Sequence, residues 1–114
     1  MRSERVSQLI KKELSIILLK EIELKKGVFA TITKVRVSKS LEHCTVFVSV
    51  FPEKETRAVL NIIKNKTFDI QKILDKRLKM KFVPKIFFKK EEKLEKEIKL
   101  ENIFYRLEKE KELR

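Results

Sequence analysis

The chain of 114 residues contains very few of the residues that shape loops or cross-link domains: one glycine, two prolines, one cysteine and no tryptophan. A single glycine excludes a glycine-rich phosphate-binding loop, and a single cysteine excludes a disulfide framework within the chain. No apolar run approaches the roughly 20 residues that a membrane-spanning helix needs. The first residues are charged rather than apolar, so we expect no secretion signal and a cytoplasmic protein.

The sequence also lacks the residue clusters that carry catalysis. His43 is the only histidine, and no second histidine, cysteine pair or acidic cluster accompanies it. Cys44 alternates with valines, as a small buried side chain does. We therefore predict that the chain is not an enzyme and holds no metal and no cofactor.

Positive charge is abundant and uneven. The chain carries 29 basic and 17 acidic residues, a net charge of +12. Residues 1–84 hold 19 of the basic and 9 of the acidic residues, and residues 56–84 hold 8 basic residues against Asp69 and Asp75 alone. Residues 85–114 are nearly balanced, with 10 against 8. This bias favours a polyanionic partner, because each neutralised phosphate releases condensed counterions.

Hydrophobic periodicity predicts the first three elements. Apolar residues three and four apart predict an amphipathic helix over about residues 3–24. The period then changes to two, which predicts an antiparallel pair of strands over residues 28–38 and 43–51. We expect the buried face of the first strand to consist of Thr31, Thr33, Val35 and Val37. We expect that of the second strand to consist of Cys44, Val46, Val48 and Val50.

The pattern is helical again from about residue 53 to 80. The polar stretch 65–67 separates two apolar sectors, so we predict two helices broken there. A short edge strand follows over 85–89, and a charged C-terminal helix over about 93–110. The fold class is therefore α+β in the order α-β-β-α-α-β, with a three-stranded sheet packed on helices. We expect one domain over 1–114 with its core over about 3–90.

Four stretches of the chain resemble those of a known family. They are Arg5-Val6 with Leu9-Ile10-Lys11-Lys12-Glu13-Leu14-Ser15, Thr31-Ile32-Thr33, Val46-Phe47-Val48-Ser49-Val50, and Leu78-Lys79-Met80-Lys81 before Val83-Pro84. The element order resembles the type II KH domain, and the set of stretches is similar to the bacterial ribosome-binding factor A family. That family lacks the Gly-x-x-Gly loop of ordinary KH domains, as this chain does. The family usually has Ala-x-Gly at an interhelical kink, where this chain has Lys66-Thr67-Phe68.

The resemblance implies a function as well as a fold. It implies a non-catalytic factor that binds the 30S small ribosomal subunit and its 16S rRNA near the 5′-end helix. It further implies a role in late 30S maturation and 16S rRNA processing, with no cofactor and no membrane association. We expect the factor to act as a monomer.

Cations with predicted exposure are the candidate rRNA-binding residues. They are Arg5, Lys12, Lys34, Arg36, Lys64, Lys66, Lys72, Lys76, Arg77, Lys79 and Lys81. We expect Lys72, Lys76 and Lys79 to share one sector of the third helix, with Arg77 nearer its apolar edge. For any one of these cations, a plain solvated surface is an equally good interpretation.

Aromatic residues offer a second mode of contact. Phe47 and Phe51 could stack on bases if their strand face is exposed. Core packing is the favoured interpretation for both, and also for Phe87 and Phe88. Two other functions stay open: a general RNA- or DNA-binding module, and a protein-interaction adaptor that docks through its C-terminal helix.

Overall fold

The computed structural model describes residues 2–91, with side chains from residue 3 onward. Its elements are α1 (Arg2–Glu21), β1 (Phe29–Val37), β2 (His43–Phe51), one 3-10 turn (Glu53–Glu55), α2 (Thr56–Asn65), α3 (Thr67–Arg77) and β3 (Lys85–Lys90). This confirms the predicted α-β-β-α-α-β order. The helix predicted over about 93–110 lies outside the described residues.

One stripe of α1 faces the core. Ile10, Leu14 and Ile17 are at most 2% exposed, at the spacing that places helical side chains on one face. The helix ends at Glu21, about one turn earlier than predicted. The chain then turns at Gly27, whose φ of +84° lies in the left-handed region that favours glycine.

β1 and β2 form an antiparallel hairpin, and one residue of β1 interrupts the ladder. The register shifts between Ile32 and Lys34, so Thr33 is the extra residue of a β-bulge. Its hydroxyl donates a hydrogen bond to the carbonyl of Phe47 at 3.3 Å. Its own carbonyl accepts a hydrogen bond from the Lys11 ammonium at 3.4 Å, which ties the bulge to α1.

The bulge changes which side chains of β1 face the core. Ile32 is buried before it, and Val35 and Val37 are buried after it. Thr31 is exposed and Thr33 is half-buried. The prediction that both threonines share the buried face is therefore wrong, because one inserted residue shifts the two-residue period by one position.

β3 lies parallel to β2 and completes a sheet in the order β1-β2-β3. The inner face of this sheet consists of Ile32, Val35, Val37, Cys44, Val46, Val48, Val50, Ile86 and Phe88, all buried. The predicted buried face of β2 is thus confirmed. Phe87 alternates to the other side and is 45% exposed, so the prediction that it belongs to the core is wrong.

All three helices contribute to the core on the inner face of the sheet. The buried residues of α2 and α3 are Thr56, Val59, Leu60, Ile63, Ile70 and Leu74. We call the opposite side of the sheet the outer sheet face, and it consists of Phe29, Thr31, Lys34, Arg36, His43, Thr45, Phe47, Ser49, Phe51, Lys85, Phe87 and Lys89. Strand register defines it, because residues paired across neighbouring strands share a face.

A single residue, Lys66, separates α2 from α3, as predicted for the stretch 65–67. Its φ and ψ of −102° and 5° leave the helical region without entering the left-handed one. The carbonyl of Ile63 accepts hydrogen bonds from the Lys66 N–H at 3.0 Å and the Thr67 hydroxyl at 3.1 Å. The helix end is thus satisfied, and the kink forms without the small residues that the family usually has there.

Candidate nucleic-acid interface

All eleven candidate cations are exposed, but they do not form one surface. Nine lie on the helices or the segment after α3: Arg5, Lys12, Lys64, Lys66, Lys72, Lys76, Arg77, Lys79 and Lys81. Lys34 and Arg36 lie on the outer sheet face, across the sheet from the helices. One flat partner therefore cannot contact both groups at once.

Two of the nine helical cations form an ion pair or a hydrogen bond within the fold, and Lys72 and Lys81 lie over aromatic rings. Arg77 forms an ion pair with Glu13, with its Nε 2.5 Å from a carboxylate oxygen, and this joins the end of α3 to α1. The Lys66 ammonium donates a hydrogen bond to the backbone carbonyl of Glu21 at 3.1 Å. That carbonyl belongs to the last residue of α1, where a cation is favoured by the helix dipole. Both side chains therefore have a structural role.

Other candidates have no side-chain partner within residues 3–91. They are Arg5, Lys12, Lys34, Lys64, Lys76 and Lys79. On α3, Lys72 and Lys76 point away from the core, flanked by the exposed acids Asp69 and Asp75. Lys79 lies beyond Arg77, the last residue of α3, so the prediction that it continues the helical sector of Lys72 and Lys76 is wrong. Leu78 leaves the helical region with ψ of 130°, which redirects the following side chains.

The outer sheet face carries two cations that the sequence reading did not select. Lys85 and Lys89 of β3 lie on this side, next to His43 and Phe47 of β2. The strand period of two would have placed them beside Phe87. They were not among the candidates because the predicted strand over 85–89 must pair with β2 before its lysines come onto the same side as Lys34 and Arg36.

Aromatic residues of the sheet divide by exposure. Phe47 is 5% exposed, and the Arg36 guanidinium lies 5.7 Å from its ring centre. It is therefore buried, as core packing requires, but on the outer sheet face and outside the core cluster of the inner face. Phe51 is 68% exposed and pairs across the hairpin with Phe29, so core packing is wrong for it. The rings of His43 and Phe87 lie 5.9 Å apart.

Cys44 and His43 show no catalytic arrangement. The Cys44 thiol is fully buried, and loss of solvation by burial raises its pKa from 9.0 to about 12. His43 is exposed at the start of β2 and contacts Phe87. Among residues 3–91, no group of three or more histidine, cysteine or acidic side chains is placed to hold a metal ion. Within the same part of the chain, no helix has the length and apolar content that crossing a membrane requires.

Known proteins share both the sequence and the fold. The family model for ribosome-binding factor A matches residues 2–104. The ribosome-binding factor A of Halothermothrix orenii is 33% identical over 112 residues, covering 97% of this chain and 92% of that protein. The one from Dictyoglomus thermophilum is 37% identical over 97 residues, covering 83% and 81% respectively.

A solved structure supports the fold assignment independently. The crystal structure of ribosome-binding factor A from Thermus thermophilus superposes with a TM-score of 0.67, covering 77% of this chain and 93% of that one. At 20% sequence identity this likeness concerns the fold alone. Family membership rests on the family-model match over residues 2–104 and on the two relatives above 30% identity. The chain belongs to the ribosome-binding factor A family.

Proposed function

We propose that this chain binds the 30S small ribosomal subunit through its 16S rRNA and assists late 30S maturation and 16S rRNA processing. It does so in the cytoplasm, without catalysis. The single observation that carries the proposal is the group of exposed helical cations in a chain of this family. Of these, Arg5, Lys12, Lys64, Lys76 and Lys79 have no side-chain partner within residues 3–91.

The charge arrangement fits folded RNA better than a specific base sequence. A cation that is not already in an ion pair can contact phosphate without breaking an existing interaction. Phosphate contacts orient a protein on RNA but carry little sequence information. The chain has no glycine-rich loop to bring its backbone against a single strand. Recognition by shape and phosphate spacing is therefore the mode that we infer.

Co-sedimentation of the purified chain with isolated small and large ribosomal subunits tests this proposal. We expect the chain to pellet with small subunits at low salt, and to prefer small over large subunits at physiological salt, where non-specific phosphate binding is weak. The logarithm of the binding constant should fall linearly with the logarithm of salt concentration, because counterions are released. A chain that does not pellet with small subunits at low salt would disprove the proposal.

Competition with unrelated RNA and DNA duplexes tests the main alternative. A dedicated subunit factor should stay bound to small subunits when unrelated duplexes are added at the same phosphate concentration. If unrelated duplexes displace it as well as small subunits do, the chain is a general nucleic-acid-binding module.

A further inference from the structure

Phe68 is a large apolar side chain held out in solvent at the junction of two helices. It lies in the first turn of α3, two residues after the break at Lys66, and is 70% exposed. It takes no part in the hydrophobic core that joins the helices to the sheet. A single exposed phenylalanine is common on protein surfaces, but the residues around Phe68 distinguish it.

A lysine ammonium lies over the Phe68 ring. The Nζ of Lys72 is 4.5 Å from the ring centre, well inside the distance of about 6 Å at which a cation and an aromatic face attract. Lys72 follows Phe68 by one helical turn, so the geometry is set by α3 itself. One ring face is thus next to a positive charge, and the high exposure leaves the rest of the ring open to a ligand.

Two further cations precede the ring. Lys64 lies in the last turn of α2, exposed and without a side-chain partner within residues 3–91. Lys66 occupies the break and is held by its hydrogen bond to the carbonyl of Glu21. The only acid between residues 64 and 72 is Asp69, which is exposed. The ring therefore lies within a short segment that carries three lysines and one carboxylate.

We propose that Phe68 is a stacking platform for one unpaired base of the bound RNA, with Lys64 and Lys72 at the phosphates beside that base. This inference rests on the proposed function and adds a ligand class to it: an unstacked nucleotide rather than duplex backbone alone. Single-stranded RNA is commonly held by aromatic rings that stack on bases inside a positively charged groove. A lysine over the opposite ring face strengthens such a site.

Other exposed phenylalanines fit this role less well. Phe82 is 77% exposed, but its cation is the adjacent Lys81, at 5.7 Å, in a segment without helix or strand structure. Phe51 is 68% exposed and lines a cleft with Glu53, Lys90 and Glu91, where two carboxylates face one lysine and disfavour phosphate. Phe68 alone of these has its lysine fixed one turn away on the same helix.

Tryptophan fluorescence gives a direct test, because the chain has no tryptophan of its own. Phe68→Trp places the only indole at the proposed platform, and Phe51→Trp places one at an equally exposed control position. On titration with small subunits, we expect the emission of the Phe68→Trp variant to be quenched by the stacked base. The Phe51→Trp variant should keep its emission. Sedimentation of the same samples reports binding separately.

Three substitutions separate stacking from other contacts. Phe68→Ala should weaken binding about tenfold, with an unchanged salt slope because no phosphate contact is removed. Phe68→Tyr should keep the binding. Phe68→Leu, which retains an apolar side chain but no ring, should lose as much as Phe68→Ala. Because the side chain lies outside the core, all three variants should unfold at the same urea concentration as the parent.

Different results would overturn the two proposals separately. If Phe68→Trp pellets with small subunits but its emission is unchanged, the stacking site is wrong while subunit binding stands. If Phe68→Leu binds as well as the parent, the side chain makes an apolar contact, such as one with a protein, and the stacking site is again wrong. If the parent chain does not bind small subunits, both proposals fail.

Discussion

The side-chain oxygen of Gln71 accepts a hydrogen bond from the backbone N–H of Ile86 at 2.8 Å. The amide nitrogen of the same side chain donates to the carbonyl of Pro84 at 3.2 Å. One residue of α3 thereby satisfies two backbone groups at the edge strand β3. An edge strand carries unpaired backbone groups that invite unwanted pairing, and this glutamine covers some of them.

Gln71→Ala should therefore destabilise the fold. It leaves the N–H of Ile86 and the carbonyl of Pro84 without a side-chain partner, at a cost of about 1–3 kcal/mol in the free energy of unfolding. Urea denaturation should show a lower midpoint with an unchanged slope. Gln8→Ala is the matched control, because Gln8 is an exposed glutamine of α1 and its loss should change stability by less than about 0.5 kcal/mol. Equal midpoints for the two variants would contradict this role of Gln71.

The ion pair between Arg77 and Glu13 should be measurable by a double-mutant cycle. The Arg77 side chain is 37% exposed and that of Glu13 is 16% exposed, so solvent screens the pair and we expect a coupling of roughly 0.5–1 kcal/mol. The four proteins of the cycle are the parent, Arg77→Gln, Glu13→Gln and the double variant. Additive effects would show that the pair contributes nothing to holding α3 on α1.

Arg77 also shows where sequence reasoning about the site reaches its limit. Its exposure was predictable from the helical pattern, and that of Lys34 and Arg36 from the alternation of the first strand. Its partner Glu13 lies 64 residues away in sequence, and no local pattern reports such a pair. The same holds for the hydrogen bond between Lys66 and the end of α1. Sequence therefore predicts which cations are exposed but not which ones the fold already uses.

The fold was likewise predictable from sequence in some elements and not in others. Alternation correctly predicted the buried face of β2, because that strand has no irregularity. The same reasoning failed in β1, where the alternating run continues through Thr33 although the backbone bulges there. The break at Lys66 was predictable, because the polar stretch 65–67 interrupts two apolar sectors. Phe87 was misassigned because adjacent phenylalanines cannot both face the core from one strand.

Cys44 provides a prediction on reactivity and pH. Burial raises the pKa of its thiol from 9.0 to about 12, and only the thiolate reacts with a disulfide reagent. The folded protein should therefore react at pH 8 only as fast as it opens, whereas the protein in urea should react at once. Rapid labelling without urea would contradict the burial of this side chain.

The raised pKa of the Cys44 thiol also determines how this group changes the stability of the fold with pH. The thiol favours its protonated form in the folded chain, so its contribution to stability is complete below pH 9.0 and is lost as the pH rises toward about 12. Cys44→Ala removes the titrating group. The loss of stability between these pH values should therefore be smaller in Cys44→Ala than in the parent, as measured by urea denaturation at each pH. Identical pH dependence in both proteins would show that the thiol is not shielded from water.

The two cationic surfaces lead to a prediction about which side of the sheet meets the RNA. Lys72→Gln with Lys76→Gln removes two charges from the helical surface, and Lys34→Gln with Arg36→Gln removes two from the outer sheet face. Both double variants lower the net charge by the same amount, so any general effect of charge is matched. For each variant we measure the slope of the logarithm of the binding constant against the logarithm of salt concentration. We expect the Lys72→Gln, Lys76→Gln variant to reduce the size of this slope by about 2, and the Lys34→Gln, Arg36→Gln variant to leave it nearly unchanged.

The reason lies in the number and arrangement of cations on each side. Within residues 3–91, the helical surface offers five cations without side-chain partners and the exposed ring of Phe68. The outer sheet face offers three such cations, Lys34, Lys85 and Lys89, because Arg36 already contacts the ring of Phe47. Because the sheet separates the two groups, a rigid subunit surface that contacts one side leaves the other in solvent. A reduced slope for the outer pair alone would place the interface on β1 and β3. Equal reductions for both pairs would mean that the RNA reaches around the domain edge to both sides.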